Sequence, residues 1–207
     1  MSAQGPRSGI VQPHWEFQNP GRTASVVVNE GFVAFQTTAY ETFDKFFEET
    51  QAAVNVVAQA VEGLLVQRVG LRYVDLIRPR AGESWTDYLR DGLHGLSTPA
   101  FLPDTVEHIH QTVGKTEVGT MVVRVLQNRK GSALPPDLTI HNLVLPPHAR
   151  DLGSALTTVV DMDHYRDDLT DDYSRDRLSE LGWQLKNTLY ETFVDRVATD
   201  HAMQVWE

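Results

Sequence analysis

The sequence predicts an α+β fold, a curved antiparallel sheet packed on two long helices in a helix-grip or TATA-binding-like arrangement. Three observations carry this expectation. Apolar segments with period two come in clusters joined by short turns, which suits hairpins rather than alternating βαβ units. Two long stretches, 40–64 and 178–197, carry apolar residues at helical spacing instead. The 207 residues, 41% hydrophobic and 22% charged, suit one soluble domain that can bury a core without a metal or disulfide.

Residues 1–13 are polar, hold Gly, Ser and Pro without periodicity, and read as a tail, leaving 14–207 as a single domain. Trp15-Glu16-Phe17 alternates, Asn19-Pro20-Gly21 marks a turn, and Ala24 to Val28 is rich in valine. Gly31 supplies a hairpin position before Phe32 to Thr37, which completes a short meander. Phe43, Phe47, Val54, Val57, Val61 and Leu64 then fall on one helical stripe, with Thr38 as an N-cap candidate and Gly63 as a stop. Leu65 to Ile77 returns to period two. Ser84-Trp85-Thr86-Asp87 has the form of a capping box, predicting a short helix through Leu89 whose Trp85, Tyr88 and Leu89 cover one end of the core.

Thr105 to Val113 and Glu117 to Gln127 read as a hairpin about Gly114-Lys115. A polar, Pro-containing loop follows over 128–137. Leu138 to Leu145 and Ala155 to Met162 read as two more strands. In the final helix Leu178, Leu181, Leu185, Leu189, Phe193 and Val197 form an unbroken stripe, and Asp171, Asp172 and Asp176 lie where a helix N-terminus favours negative charge.

Composition narrows the function classes. The absence of cysteine excludes disulfides, thiol nucleophiles, Cys-based zinc sites and iron–sulfur centres. Twenty-eight acids against eighteen bases give a net charge of −10, which opposes generic nucleic-acid binding. No apolar run approaches the ~18 residues of a membrane span, and the first residues lack a signal-peptide core. These features set the expectation of a cytoplasmic protein away from membranes.

Arg68-Val69-Gly70-Leu71-Arg72-Tyr73-Val74-Asp75 resembles the R-x-G-L-R-Y-[IV]-[ND] signature of an uncharacterised, sporadically distributed bacterial family. Phe32-Val33-Ala34-Phe35 with Tyr40, Asp161-Met162-Asp163-His164-Tyr165 and the final helix with Phe193 resemble that family's other blocks in the same order. Members of that family usually begin with a P-[IV]-V-E-like strand, so this chain looks like a short form. The resemblance implies an α+β fold and transfers no catalytic residue.

Several constellations are candidates for chemistry. Arg68 and Arg72 share a strand face, as do Asp161 and Asp163. Two arginines opposite two aspartates make either an internal ion-pair layer or an anion-binding site, and these four are the candidate ligand-binding residues. His108 and His110 form an H-x-H able to supply two metal ligands, but the spacing of His141, His148 and His164 demands no third. Asp161-Met162-Asp163 lacks the phosphate loop that a metal–nucleotide reading needs, since neither G-x-x-x-x-G-K-[ST] nor G-x-G-x-x-G occurs. No G-x-S-x-G elbow is present either. The expectation is therefore no catalytic set, no metal and no cofactor. The leading reading is a non-catalytic interaction module, an accessory subunit of a bacterial system such as a defence or mobile-element cassette. A small-ligand cup near Arg72 and a metal-dependent hydrolase using Asp161, Asp163 and His110 are the alternatives. Met203 and Trp206, in a last turn with little apolar sequence left to cover them, are the expected partner or self-association surface.

Overall fold

A computed structural model describes residues 14–96, 106–138, 140 and 142–206. The expected tail at 1–13 and His141 lie outside the described residues. The fold is α+β with antiparallel sheets, and the chain divides into two compact units. Among the described residues the strands do not join into one sheet; they form a three-stranded, a two-stranded and a four-stranded sheet.

The first unit comprises residues up to Val57 together with 140–144. Strands β1 (Trp15–Gln18), β2 (Ala24–Val28) and β3 (Val33–Thr37) form the predicted meander. Its first turn is built by Asn19, whose side-chain oxygen accepts from the backbone N–H of Thr23 and Ala24 at 2.8 and 3.1 Å. Asn29 does the same at the second turn for Gly31 and Phe32. Helix α1 (Phe43–Ala60) starts later than Thr38, whose hydroxyl instead donates 2.7 Å to the Val144 carbonyl. Phe43 and Phe47 are its buried residues, one turn apart and stacked at 5.1 Å.

The second unit comprises 58–139 and the residues from Leu145 on. The predicted strand over 65–77 is broken in two, β4 (Leu65–Val66) and β5 (Val69–Ile77). Strand β4 pairs with β9 (Asp171–Asp172), and β5 joins the four-stranded sheet β5-β8-β7-β6. Its other members are β6 (Glu107–Lys115), β7 (Thr120–Asn128) and β8 (Thr157–Arg166), all antiparallel. The β6–β7 turn is at 116–119, beyond the expected Gly114-Lys115, because Thr116 closes it: its N–H donates to Gly119 O, and its hydroxyl oxygen accepts from the N–H of Val118 and Gly119. The expected strand over 138–145 does not form among the described residues, where Leu138 and Leu143 instead close turns onto Pro135 and Ile140.

The core of the second unit lies on one side of this sheet. Ile77, Met121, Val125, Val160 and Met162 face Leu189, Val197 and Ala202 of the helical layer. Helix α2 (Arg175–Thr192), capped by Ser174, buries Leu181, Leu185 and Leu189 as its stripe requires. It then loosens into a π turn over Phe193–Val197, with Ala198 N–H bonded to Phe193 O, and a last helix α3 (Asp200–Trp206) follows. The capping box at Ser84 is present, with Asp87 returning to the Ser84 N–H, though it opens a 3-10 turn (Trp85–Asp87). Tyr88 and Leu89 behind it are fully buried, Leu89 forming a bridge with Ala198. On the opposite face of the sheet, the loop after β7 lays Ala133 and Pro135 into buried positions.

Candidate functional site

The R-x-G-L-R-Y block forms most of β5, and each residue has a place. Arg72 stands directly across from Asp163, yet its guanidinium reaches diagonally to Asp161, with Nε and Nη2 at 2.7 and 2.8 Å from the two carboxylate oxygens. Such a bidentate pair is the strongest geometry available to the two groups. Arg124 on β7, directly opposite Asp161, adds a third bond at 2.9 Å. Asp137 arrives from the loop above and accepts from Arg72 and Arg124 at 3.1 Å each, while Arg124 Nε donates to Gln111 Oε1 at 2.7 Å. Two cations and two anions thus form one closed quartet around Asp161, which is 1% exposed.

Charge states follow from this packing. Burial works against the Arg72 charge, but hydrogen bonds to Asp161 and Asp137 outweigh it and raise its pKa. Burial likewise opposes ionisation of Asp137, and Arg72 and Arg124 overcome it, holding the carboxyl below its ordinary range. Asp163 is different: burial raises its pKa, and the nearest cation, Arg68, is 3.5 Å away. Arg68 spreads instead over the Tyr165 ring, 3.9 Å from its centroid. Gly70 makes that possible, because a Cβ there would stand 3.2 Å from the Tyr165 Cβ and 3.9 Å from Arg68 Nε. The four sequence-predicted residues are therefore brought together as two pairs, Arg72–Asp161 and Arg68–Asp163. Arg124 and Asp137 were not anticipated. Arg124 carried a readable signal, a lone cation inside the apolar run Met121 to Leu126; Asp137, in a loop, carried none.

The histidines separate. His164, fully buried on the helix side, has Nδ1 at 3.0 Å from Leu185 O and Nε2 at 2.9 Å from the Thr116 hydroxyl. A neutral ring with its proton on Nδ1 satisfies both contacts, and burial lowers its pKa accordingly. It ties α2, β8 and the β6–β7 turn together and is a structural residue. His108 and His110 do share the helix-side face of β6, where Gly95 backs onto them so closely that a Cβ would lie 2.7 Å from His108 Nε2. Burial and the neighbouring His110 lower the His108 pKa. Asp161 lies on the other face, so Asp161, Asp163 and His110 cannot converge on one ion. Among the described residues no group of three or more His, Asp or Glu is arranged to hold a metal.

Met203 packs against the core of the second unit. Trp206 is 40% exposed, stacks on Phe193 at 5.9 Å and meets Tyr88 at 5.8 Å. Tyr88 in turn hydrogen-bonds Glu83, and His201 lies 3.1 Å from that same carboxylate.

An open cleft lies elsewhere, in the first unit. A cleft of about 440 Å³ separates the meander from the start of α1, lined by Phe17, Val26, Phe35, Tyr40, Phe46 and Glu49. The odd-even alternation of the meander puts Phe17, Val26 and Phe35 on one face in register. Phe46 meets Phe35 at 5.3 Å and Tyr40 at 6.2 Å, closing the far wall, while Phe17 and Tyr40 stay 61% and 45% exposed at the mouth. Lys45 at the rim is neutralised by Glu41, whereas no ion pair reaches Glu49 among the described residues. Nothing in the sequence marked this cleft, because its aromatic residues read equally well as core.

No family model matches this chain, and neither a curated protein nor a solved structure matches it. No helix among the described residues is long and apolar enough to cross a membrane.

Proposed function

We propose that this chain is a non-catalytic binding module, an accessory component whose work is recognition, and that its ligand enters the aromatic cleft of the first unit. The supporting observation is the cleft itself. Its ~440 Å³ lies within the 300–1,000 Å³ usual for small-molecule sites, its walls are aromatic, and among the described residues its one uncompensated charge is the Glu49 carboxylate. Aromatic faces and a carboxylate together favour a flat, apolar body carrying a positive charge. The groups that resemble catalytic machinery are committed elsewhere: Asp161 to two arginines, His164 to Thr116 and Leu185.

A matched pair of probes tests this reading. Tryptamine and indole-3-acetate share a ring and differ in the sign of their charge. Calorimetric titration is expected to show saturable tryptamine binding, at least tenfold weaker binding of indole-3-acetate, and a comparable loss for Glu49→Gln. Absence of binding by either probe at millimolar concentration, or equal binding of both, would overturn the reading.

A further inference from the structure

Strand β6 is the outer strand of the four-stranded sheet, nine residues long, and its pairing with β7 runs without a bulge or a proline. Thr116 N–H bonds to Gly119 O and Arg129 N–H to Val106 O at the two ends of the hairpin. Hydrogen-bonded pairs alternate along an antiparallel ladder, so the even-numbered residues of β6 turn their amides and carbonyls to β7. Glu107, Ile109, Gln111, Val113 and Lys115 turn theirs outward, and among the described residues no backbone group of another element meets them. The same five side chains are exposed, Ile109 at 52% and Val113 at 57%. Natural sheets rarely leave such an edge bare; short strands, prolines, bulges or inward charges usually blunt it.

We propose that this edge pairs with the same edge of a second copy of the chain, antiparallel about a two-fold axis at Gln111. The sequence of β6 is complementary to itself in that one register. Glu107 falls opposite the second copy's Lys115, Ile109 opposite its Val113, and Gln111 opposite its own equivalent. Every residue placed opposite another is one whose backbone donor and acceptor already point outward, so each pair can exchange both hydrogen bonds. The exposed apolar residues meet each other across the seam, and the charges at the two ends are opposite in sign, Glu107 sharing its carboxylate with its own chain's Lys130 at 2.8 Å and Lys115 Nζ donating to Thr120 Oγ1. A one-step slip would place outward-facing residues against inward-facing ones and lose the ladder, and a two-step slip would separate the Glu–Lys pairs. The interface is isologous, as a two-fold dimer requires, and joins the two four-stranded sheets into one.

Sedimentation equilibrium of the intact protein reads this directly. The parent chain is expected to be dimeric at ~100 µM, well above a micromolar Kd. Gln111→Pro removes an outward N–H together with the Gln111 Oε1 that accepts from Arg124 Nε, and leaves the β7 ladder intact, so a monomer with an unchanged far-UV circular dichroism spectrum is expected. Glu107→Lys sets like charges opposite and should weaken the dimer at least tenfold, while Glu107→Lys with Lys115→Glu in one chain should restore it. A parent chain that stays monomeric at ~100 µM overturns the proposal and leaves the edge to an extended segment of another protein. A dimer that survives both Gln111→Pro and Glu107→Lys overturns it as well.

Discussion

Asp161 shows how unevenly a buried ion quartet distributes risk among its members. Its carboxylate is 1% exposed, whereas the side chains of Arg72, Arg124 and Asp137 are 22%, 20% and 53% exposed. Removing both arginines strands a charge that water cannot reach, a loss of ~3–5 kcal/mol; removing Asp161 leaves two cations that still have Asp137 and solvent. Chemical denaturation should therefore rank Arg72→Met with Arg124→Met as clearly more damaging than Asp161→Asn, and equal losses would contradict the assignment of Asp161 as the hub. Two other residues titrate in opposite senses. His164 is held neutral, its folded pKa below the ordinary ~6.5, so its contribution is complete above ~6.5 and is lost as the pH falls from there through the lowered folded pKa. Asp75, half-buried on β5 with no ion pair among the described residues, is pushed by burial to about 6. A raised carboxyl pKa means that the folded state holds its proton longer, so stability declines as the pH rises from about 4 to about 6. Asp75→Asn should thus raise the melting temperature at pH 7 and change little at pH 4. The reverse order would show that the carboxylate is stabilised by a partner.

Helix α3 and the turn before it decide how the chain's end is used. The π turn at Phe193–Val197 rotates the backbone so that Val197 O accepts from Arg90 N–H and Thr199 N–H reaches Tyr88 O. The Thr199 hydroxyl oxygen then accepts from Ala202 N–H as the α3 cap, and its own proton goes to Asp87 O. Ala202 is fully buried, and Trp206 covers Tyr88. A chain ending at His201 should lose ~3 kcal/mol or more through lost packing, seen as a fall in melting temperature of several degrees. An unchanged melting temperature with altered association would instead give Met203 and Trp206 the surface role that the sequence suggests. At this scale much was legible: the α2 leucine stripe, the Ser84 box and the meander each follow from local spacing. The break between β4 and β5 was not, because the alternation from Leu65 to Ile77 continues through Gln67 and Arg68, and only pairing with β9 and β8 separates them. Leu138 to Leu145 alternates just as well yet forms no strand among the described residues, since no partner strand takes it up.

On the scale of the whole molecule, the α+β class was readable from the order of periodicities, but the distribution of strands among three sheets was not. Strand pairing is a contact between residues far apart in sequence, such as Arg72 with Asp163, and no local pattern encodes it. The aromatic cleft was invisible for a related reason: Phe35 and Phe46 have the same spacing whether the gap beside them is filled or open. Net charge, by contrast, is fully legible and constrains any self-association. Two chains of −10 with charge centres ~40 Å apart repel by ~10 kcal/mol in water without salt. At physiological ionic strength the Debye length is ~8 Å and this repulsion nearly vanishes. The Glu107–Lys115 pairs of the proposed dimer are exposed and contribute only ~0–1 kcal/mol each, so screening them costs far less than screening the repulsion gains. Added salt should therefore tighten the dimer between ~10 and ~150 mM and have little effect beyond that, followed as the dissociation constant by sedimentation. Steady weakening across that range would mean that ion pairs, and not the backbone ladder of β6, hold the copies together.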